Sequence, residues 1–117
     1  MTAVLAGCGG PSRYSLASTR QCLASQARLR LGPPPASDVV ASSALGGAVE
    51  VRMRGNAVVI PFALDEEEAG RIASAYRRFR GRTIGIEDIL RPRRNAVLLW
   101  RAHPRPEDEE AVTACLK

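Results

Sequence analysis

Few side chains in this 117-residue chain could do chemistry. They are three thiols (Cys8, Cys22 and Cys115), one imidazole (His103) and a run of guanidiniums: Arg77, Arg78, Arg80, Arg82, Arg91, Arg93 and Arg94. A thiol can act as a nucleophile, ligate a metal, pair with a second thiol or carry an acyl group. No Cys-x-x-Cys and no close Cys–His spacing occurs, so a nucleophilic or redox role has no local support. One histidine and scattered cysteines do not make a zinc site, and no metal is expected. His103 stands before Pro104 at the end of an apolar run and reads as a turn residue. No Walker loop, G-x-S-x-G elbow or dinucleotide fingerprint is present, and no cofactor is expected.

Leu5-Ala6-Gly7-Cys8 follows the bacterial lipobox pattern, and this stretch resembles the end of a lipoprotein signal peptide. With the Arg- and Ala-rich composition, the chain resembles small lipoproteins of high-GC Gram-positive bacteria. The resemblance implies that Cys8 receives a diacylglyceryl group and that cleavage before it leaves a lipidated amino terminus. Acyl chains at about 0.8 kcal/mol per buried CH₂ would hold a small domain on a membrane. Only seven residues precede Cys8, none charged, whereas a leader needs a basic start and roughly 7–15 apolar residues. The leader is thus expected to be truncated, with its basic start upstream of Met1. Residues 1–13 then form leader and tether, Gly9-Gly10-Pro11-Ser12 included, and residues 14–117 one domain.

Export, as the resemblance implies it, would place Cys22 and Cys115 in an oxidising compartment, where a disulfide between them is expected. The alternative is two buried free thiols in a cytosolic protein.

Formal net charge is +5, and every basic residue but Lys117 is arginine. The run from Arg77 to Arg94 could meet phosphate on nucleic acid, anionic lipid or an envelope polymer. It also suits the negative end of a helix dipole followed by a solvated loop. Tyr76 and Phe79 fall on an apolar stripe, which leaves no evident aromatic for base stacking, and no nucleic acid is expected as partner.

The elements that must position these groups centre on Ala48 to Phe79. Val49, Val51 and Met53 alternate with Glu50, Arg52 and Arg54, the period of a half-buried strand. Gly55-Asn56 suits a two-residue II′ turn, which pairs Met53 with Val58, Val51 with Ile60 and Val49 with Phe62. Asp65 is an N-cap with Glu68 in capping-box spacing, Ala69, Ile72, Ala73, Tyr76 and Phe79 form one helical face, and Gly81 is the stop.

Before the hairpin, Tyr14 to Gln26 reads as a helix capped by Ser15, Ala27 to Leu31 as a short strand and Asp38 to Leu45 as another. After it, Thr83-Ile84-Gly85-Ile86 leads to one helical turn over Glu87–Leu90, stopped by Pro92. Asn95 to Ala102 is a central strand apolar on both sides, reached by a right-handed crossover from Ala57. A last helix begins at Glu107 and buries Ala111, Val112, Cys115 and Leu116. Aromatics are only 4% of residues, so the core must be mainly aliphatic. The expected architecture is α+β, a single domain with a mainly antiparallel sheet and helices packed largely on one face.

The function expected is non-catalytic: a lipid-anchored binding or structural module at the cell envelope, its partner the membrane and an anionic lipid or envelope polymer. The first alternative is a cytosolic basic domain that binds nucleic acid. The second is an enzyme whose site joins Glu87, Asp88 and His103.

Overall fold

The computed structural model describes residues 13–80 and 85–117, the side chain of Arg80 excepted. In chain order the elements are α1 (Leu16–Ala24), β1 (Arg30–Gly32), α2 (Val39–Ser42), β2 (Ala48–Met53), β3 (Asn56–Pro61), α3 (Glu66–Arg80), α4 (Ile86–Ile89), β4 (Leu90–Arg93), β5 (Ala96–Trp100) and α5 (Pro106–Thr113). The strands form one sheet in the order β1-β2-β3-β5-β4, with every neighbouring pair antiparallel. The chain is therefore α+β with an antiparallel sheet.

The helices divide between both faces of the sheet rather than gathering on one. Leu23 of α1 and Val112 of α5 pack with Val51, Ile60, Leu98 and Trp100. On the other face Ile72 and Tyr76 of α3 and Ile86 of α4 pack with Leu90, Val97 and Leu99. The cause lies in β3 and β5, whose residues are all buried. A bare face would put half of those apolar side chains in water, at roughly 1.5–3 kcal/mol for each large one.

Several local expectations hold. Ser15 caps α1, its hydroxyl accepting from Ser18 N–H at 3.1 Å. Asp65 accepts from Glu68 N–H at 2.8 Å, and the Glu68 carboxylate reaches back to Leu64 N–H at 2.8 Å. One orphan donor in the first turn of α3 and the N–H of Leu64 just ahead of its cap are thereby satisfied. Gly81 and Thr83-Ile84 lie outside the described residues.

Five further expectations are corrected. The first hairpin turns at Arg54-Gly55, so Val51 pairs with Val58 and Val49 with Ile60. The shift is two residues, which leaves every side chain on its expected face. Gly55 takes φ +81°, which glycine tolerates, while Asn56 is drawn into the strand by its own side chain, described below. Val39–Ser42 is a helical turn instead of a strand, because the Asp38 carboxylate caps Ala41 N–H at 2.9 Å. Phe79 leaves the buried face of α3 and is 69% exposed. Leu90–Arg93 is an edge strand containing Pro92, a position where a missing N–H costs the ladder least. Because β4 reverses the chain ahead of β5, β3 and β5 are antiparallel, and the crossover rule for parallel strands does not apply.

Two carboxamides close the central junction. The β3–β5 ladder has the pairs Val58↔Trp100 and Val59↔Leu99, and a single bridge, Phe62↔Ala96, continues it past Pro61. At one end Asn56 accepts from Ala102 N–H and donates to Ala102 C=O, both at 3.1 Å. At the other, Asn95 Nδ2 donates to Ala63 C=O and Tyr14 C=O, both at 2.9 Å, and its Oδ1 accepts from Tyr14 N–H at 2.6 Å. Asn95 is 1% exposed and its bond to Ala63 is buried, so that carbonyl has no water to fall back on, while the Tyr14 groups are part-buried. We expect Asn95→Ala to cost about 2–4 kcal/mol, since it strands a buried carbonyl and two part-buried backbone groups together. Urea unfolding would show it as a lowered midpoint with unchanged slope. A midpoint equal to the parent's would mean that the carboxamide does not hold this junction.

Candidate functional site

Cys22 of α1 and Cys115, just beyond α5, are bonded as a disulfide with their Cα atoms 5.3 Å apart. Both helices lie on the same sheet face, which brings the two ends of the chain together. Gln26 Nε2 donates to Ala111 C=O at 2.9 Å, Ser15 N–H donates to Lys117 C=O at 2.7 Å, and Lys117 N–H donates to Thr19 Oγ1 at 3.1 Å. Cys115 is 1% exposed. A thiol so placed is a structural group rather than a nucleophile. Cys8 lies outside the described residues.

The arginine run is not one patch. Arg77 on α3 donates from Nε and Nη2 to the Glu87 carboxylate at 2.7 and 3.2 Å. That hydrogen bond raises the Arg77 pKa above its ordinary value. Arg91 lies on the opposite face, beside α5: it pairs with Glu109 and also donates from Nε to Asp88 C=O at 3.1 Å. The Arg94 guanidinium lies 5.5 Å from the Tyr14 ring centroid, within cation–π range. Arg78 and Arg93 are exposed and make no ion pair among the described residues. Arg82 and the Arg80 side chain lie outside the described residues.

The three groups of the enzymatic alternative are only partly joined. His103 Nδ1 stands 2.8 Å from Asp88 Oδ2, while Glu87 is turned to Arg77. A carboxylate can orient an imidazole as a base. Both partners are largely exposed, and none of the hydrogen bonds found for this pair reaches a hydroxyl or thiol among the described residues. No cluster of three metal-ligating side chains occurs among the described residues.

Two surfaces emerge that pattern reading did not assemble. One is an apolar groove of about 360 Å³ between α2 and α3, lined by Val39, Val40, Ile72 and the exposed Phe79 ring among others. Phe79 thus supplies an accessible aromatic that the stripe seemed to bury. The other is a cleft of about 460 Å³ where β1 begins and β2 ends, lined by Ala27, Met53 and four arginines, Arg28, Arg30, Arg52 and Arg54.

The cleft follows from two short alternating stretches, Arg28-Leu29-Arg30 and Arg52-Met53-Arg54. Leu29 and Met53 are buried, at 7% and 9% exposure, so their flanking arginines must point to water. Arg30 and Arg52 are register partners on adjacent strands. Like charges directly opposite are destabilising. Arg28 is held by the buried Asp108, and Arg52 Nε donates to Glu50 Oε1 at 3.0 Å. Arg30 and Arg54 make no side-chain hydrogen bond or ion pair among the described residues. The signal in the sequence was the pair of Arg-x-Arg stretches; what it lacked was their adjacency.

No family model, curated protein or solved structure matches the chain.

The staple closes a loop of 93 positions. On the loop-entropy model such a bridge contributes about 4–5 kcal/mol. Reduction, or Cys22→Ser with Cys115→Ser, should lower stability by about that amount, read from urea midpoints with and without reductant. Mass analysis of the native protein should show one cystine joining Cys22 to Cys115. Two freely alkylated thiols would exclude the bridge.

Proposed function

We propose that this chain is an exported, non-catalytic binding module of the cell envelope, tethered to the membrane through an acylated Cys8. The observation that carries the reading is the Cys22–Cys115 bridge. Disulfides persist in oxidising compartments and are rare in the cytosol, so a bridge joining the first and last helices suits a protein that matures outside the cytoplasm. The lipobox-like Leu5-Ala6-Gly7-Cys8 supplies the anchor that such a protein would use. The first described residues support the geometry of a tether. Tyr14 is fastened through both backbone groups to Asn95, so a pull along the preceding segment loads a sheet end and not a free helix. No helix among the described residues is long and apolar enough to cross a membrane, so acylation would be the attachment.

One observation favours the cytosolic nucleic-acid alternative: the exposed Phe79 ring beside Arg78 on α3. That reading requires reduced cysteines and a steep dependence of binding on salt.

The deciding experiment expresses the chain with its natural upstream reading frame in its source organism under metabolic labelling with palmitate. We expect label in the protein, recovery in the membrane fraction, and loss of both in Cys8→Ala. An unlabelled, soluble product with reduced Cys22 and Cys115 would overturn the proposal.

A further inference from the structure

We infer that the four-arginine cleft where β1 begins and β2 ends binds phosphodiester anions, and that its ligand is a polyanionic chain of the envelope. The choice of an envelope chain over a nucleic acid rests on the export reading; the site itself rests on the arginines alone.

The geometry carries the site. Arg30 and Arg52 face each other across the β1–β2 ladder, and Arg28 and Arg54 continue the two rows at the open end. Buried carboxylates fix one member of each row: Asp108 holds Arg28 and Glu50 holds Arg52. The other two guanidiniums, Arg30 and Arg54, make no ion pair among the described residues, so the cleft is left with an excess of two positive charges. Folding has placed like charges opposite each other across the short edge strand β1 and its neighbour β2, an arrangement that an anion beside them would relieve. Guanidinium forks match tetrahedral oxyanions in a bidentate way, which lysine cannot do. The Arg77–Arg94 run lacks this arrangement, because Glu87 and Glu109 already occupy Arg77 and Arg91.

Position selects the source. The cleft lies at the Arg54 end of the sheet, whereas Arg13 and Tyr14 lie against Leu64 and Asn95 at the other end. Asn56 and Ala63 mark those two ends along β3, which corresponds to roughly 23 Å at the usual rise per strand residue. A domain tethered through its amino terminus therefore presents the cleft away from its own anchor. That orientation fits a polymer standing off the bilayer better than the headgroups beneath it.

The test uses the full chain carrying Cys8→Ala, so that acylation plays no part. Three probes are titrated at about 150 mM salt, near physiological ionic strength: an oligomer of glycerol phosphate, vesicles of phosphatidylglycerol in phosphatidylcholine, and a single-stranded oligonucleotide of equal charge. We expect the oligomer to bind. Arg30→Gln and Arg54→Gln should each weaken it about tenfold, the usual worth of a charge-assisted hydrogen bond, and Arg78→Gln should leave it unchanged. Glu50→Gln frees Arg52 and should tighten binding severalfold, a gain that a folding defect cannot produce. Vesicle binding with the same dependence on Arg30 and Arg54, without oligomer binding, supports the phosphodiester site with lipid as its source.

No binding to any probe overturns the inference. So does equal weakening by Arg78→Gln, or an oligonucleotide preferred tenfold over the oligomer. An unacylated native protein whose cleft still binds would defeat export and leave the site standing; an acylated one whose cleft does not bind would do the reverse.

Discussion

The fold is governed by two adjacent strands from which water is excluded on both sides. Every residue of β3 and β5 is buried, and their side chains alternate between the two faces of the sheet. Neither strand can exist half-covered without exposing several large aliphatic groups, so the chain must supply two layers of helix. It does so with its ends on one face and its middle on the other. α1 and α5 share the face of Leu98 and Trp100, and α2, α3 and α4 share that of Val97 and Leu99. The meeting of Cys22 and Cys115 is a consequence: once the first and last helices must lie side by side, a cysteine on the first and one just beyond the last can bond. The staple secures an arrangement that burial has already imposed. The Trp100 ring shows how strongly burial dominates. Its Nε1–H has no acceptor among the described residues, a loss of about 1–3 kcal/mol that the ring's apolar contacts outweigh.

A sheet with such a centre has vulnerable borders, and the arginines are best understood there. β1 is three residues long and β4 four, with Pro92 inside it. Short edges, proline and charge all discourage a second chain from adding to the ladder. At β4 Arg91 is paired with Glu109 and lies beside Asp88, while the exposed Arg93 ends the strand with no ion pair among the described residues. At β1 Arg30 faces Arg52, and of the two only Arg52 has a carboxylate. Edge protection would explain arginines at both borders. It gives no reason to place two on directly opposed positions beside a cleft.

Much of this was legible in the residues, and the failures have physical causes. The alternation in β2, the capping box of α3 and the two-sided apolar run of β5 each depend on near neighbours, so local sequence carries them. The first hairpin's register slipped because Gly55-Asn56 satisfies turn chemistry locally, while the Asn56 side chain is claimed by Ala102, far away in sequence. Val39 and Val40 read as strand by β-branching, yet Asp38 caps a helical turn there and Tyr76 Oη donates to its second oxygen at 2.9 Å. Phe79 matched the period of the buried stripe but lines the groove between α2 and α3 with its ring open to solvent. The cleft was half visible: both Arg-x-Arg stretches read as strand, but no local feature says that β1 will lie against β2.

A repeated word in the sequence acquires meaning only in the tertiary structure. Arg-Gly-Asn-Ala-Val at Arg54–Val58 and Arg-Arg-Asn-Ala-Val at Arg93–Val97 open the two inner strands. The hairpins use the word differently. The first loop is Arg54-Gly55 and the second is Arg94-Asn95, with Arg94 held at φ +51°. In both, the asparagine carboxamide reaches across to the backbone just past the end of the other inner strand, Ala102 in one case and Ala63 in the other. Pro61 explains the need. It sits in an interior strand without an N–H, and the ladder to β5 lapses beside it. A junction with so few regular pairs, buried on both faces, cannot rely on water to satisfy its ends. Each carboxamide supplies a donor and an acceptor where the backbone ladder runs out. The two asparagines thus do for the middle of the sheet what the disulfide does for the ends of the chain: they fix partners remote in sequence that burial has brought together.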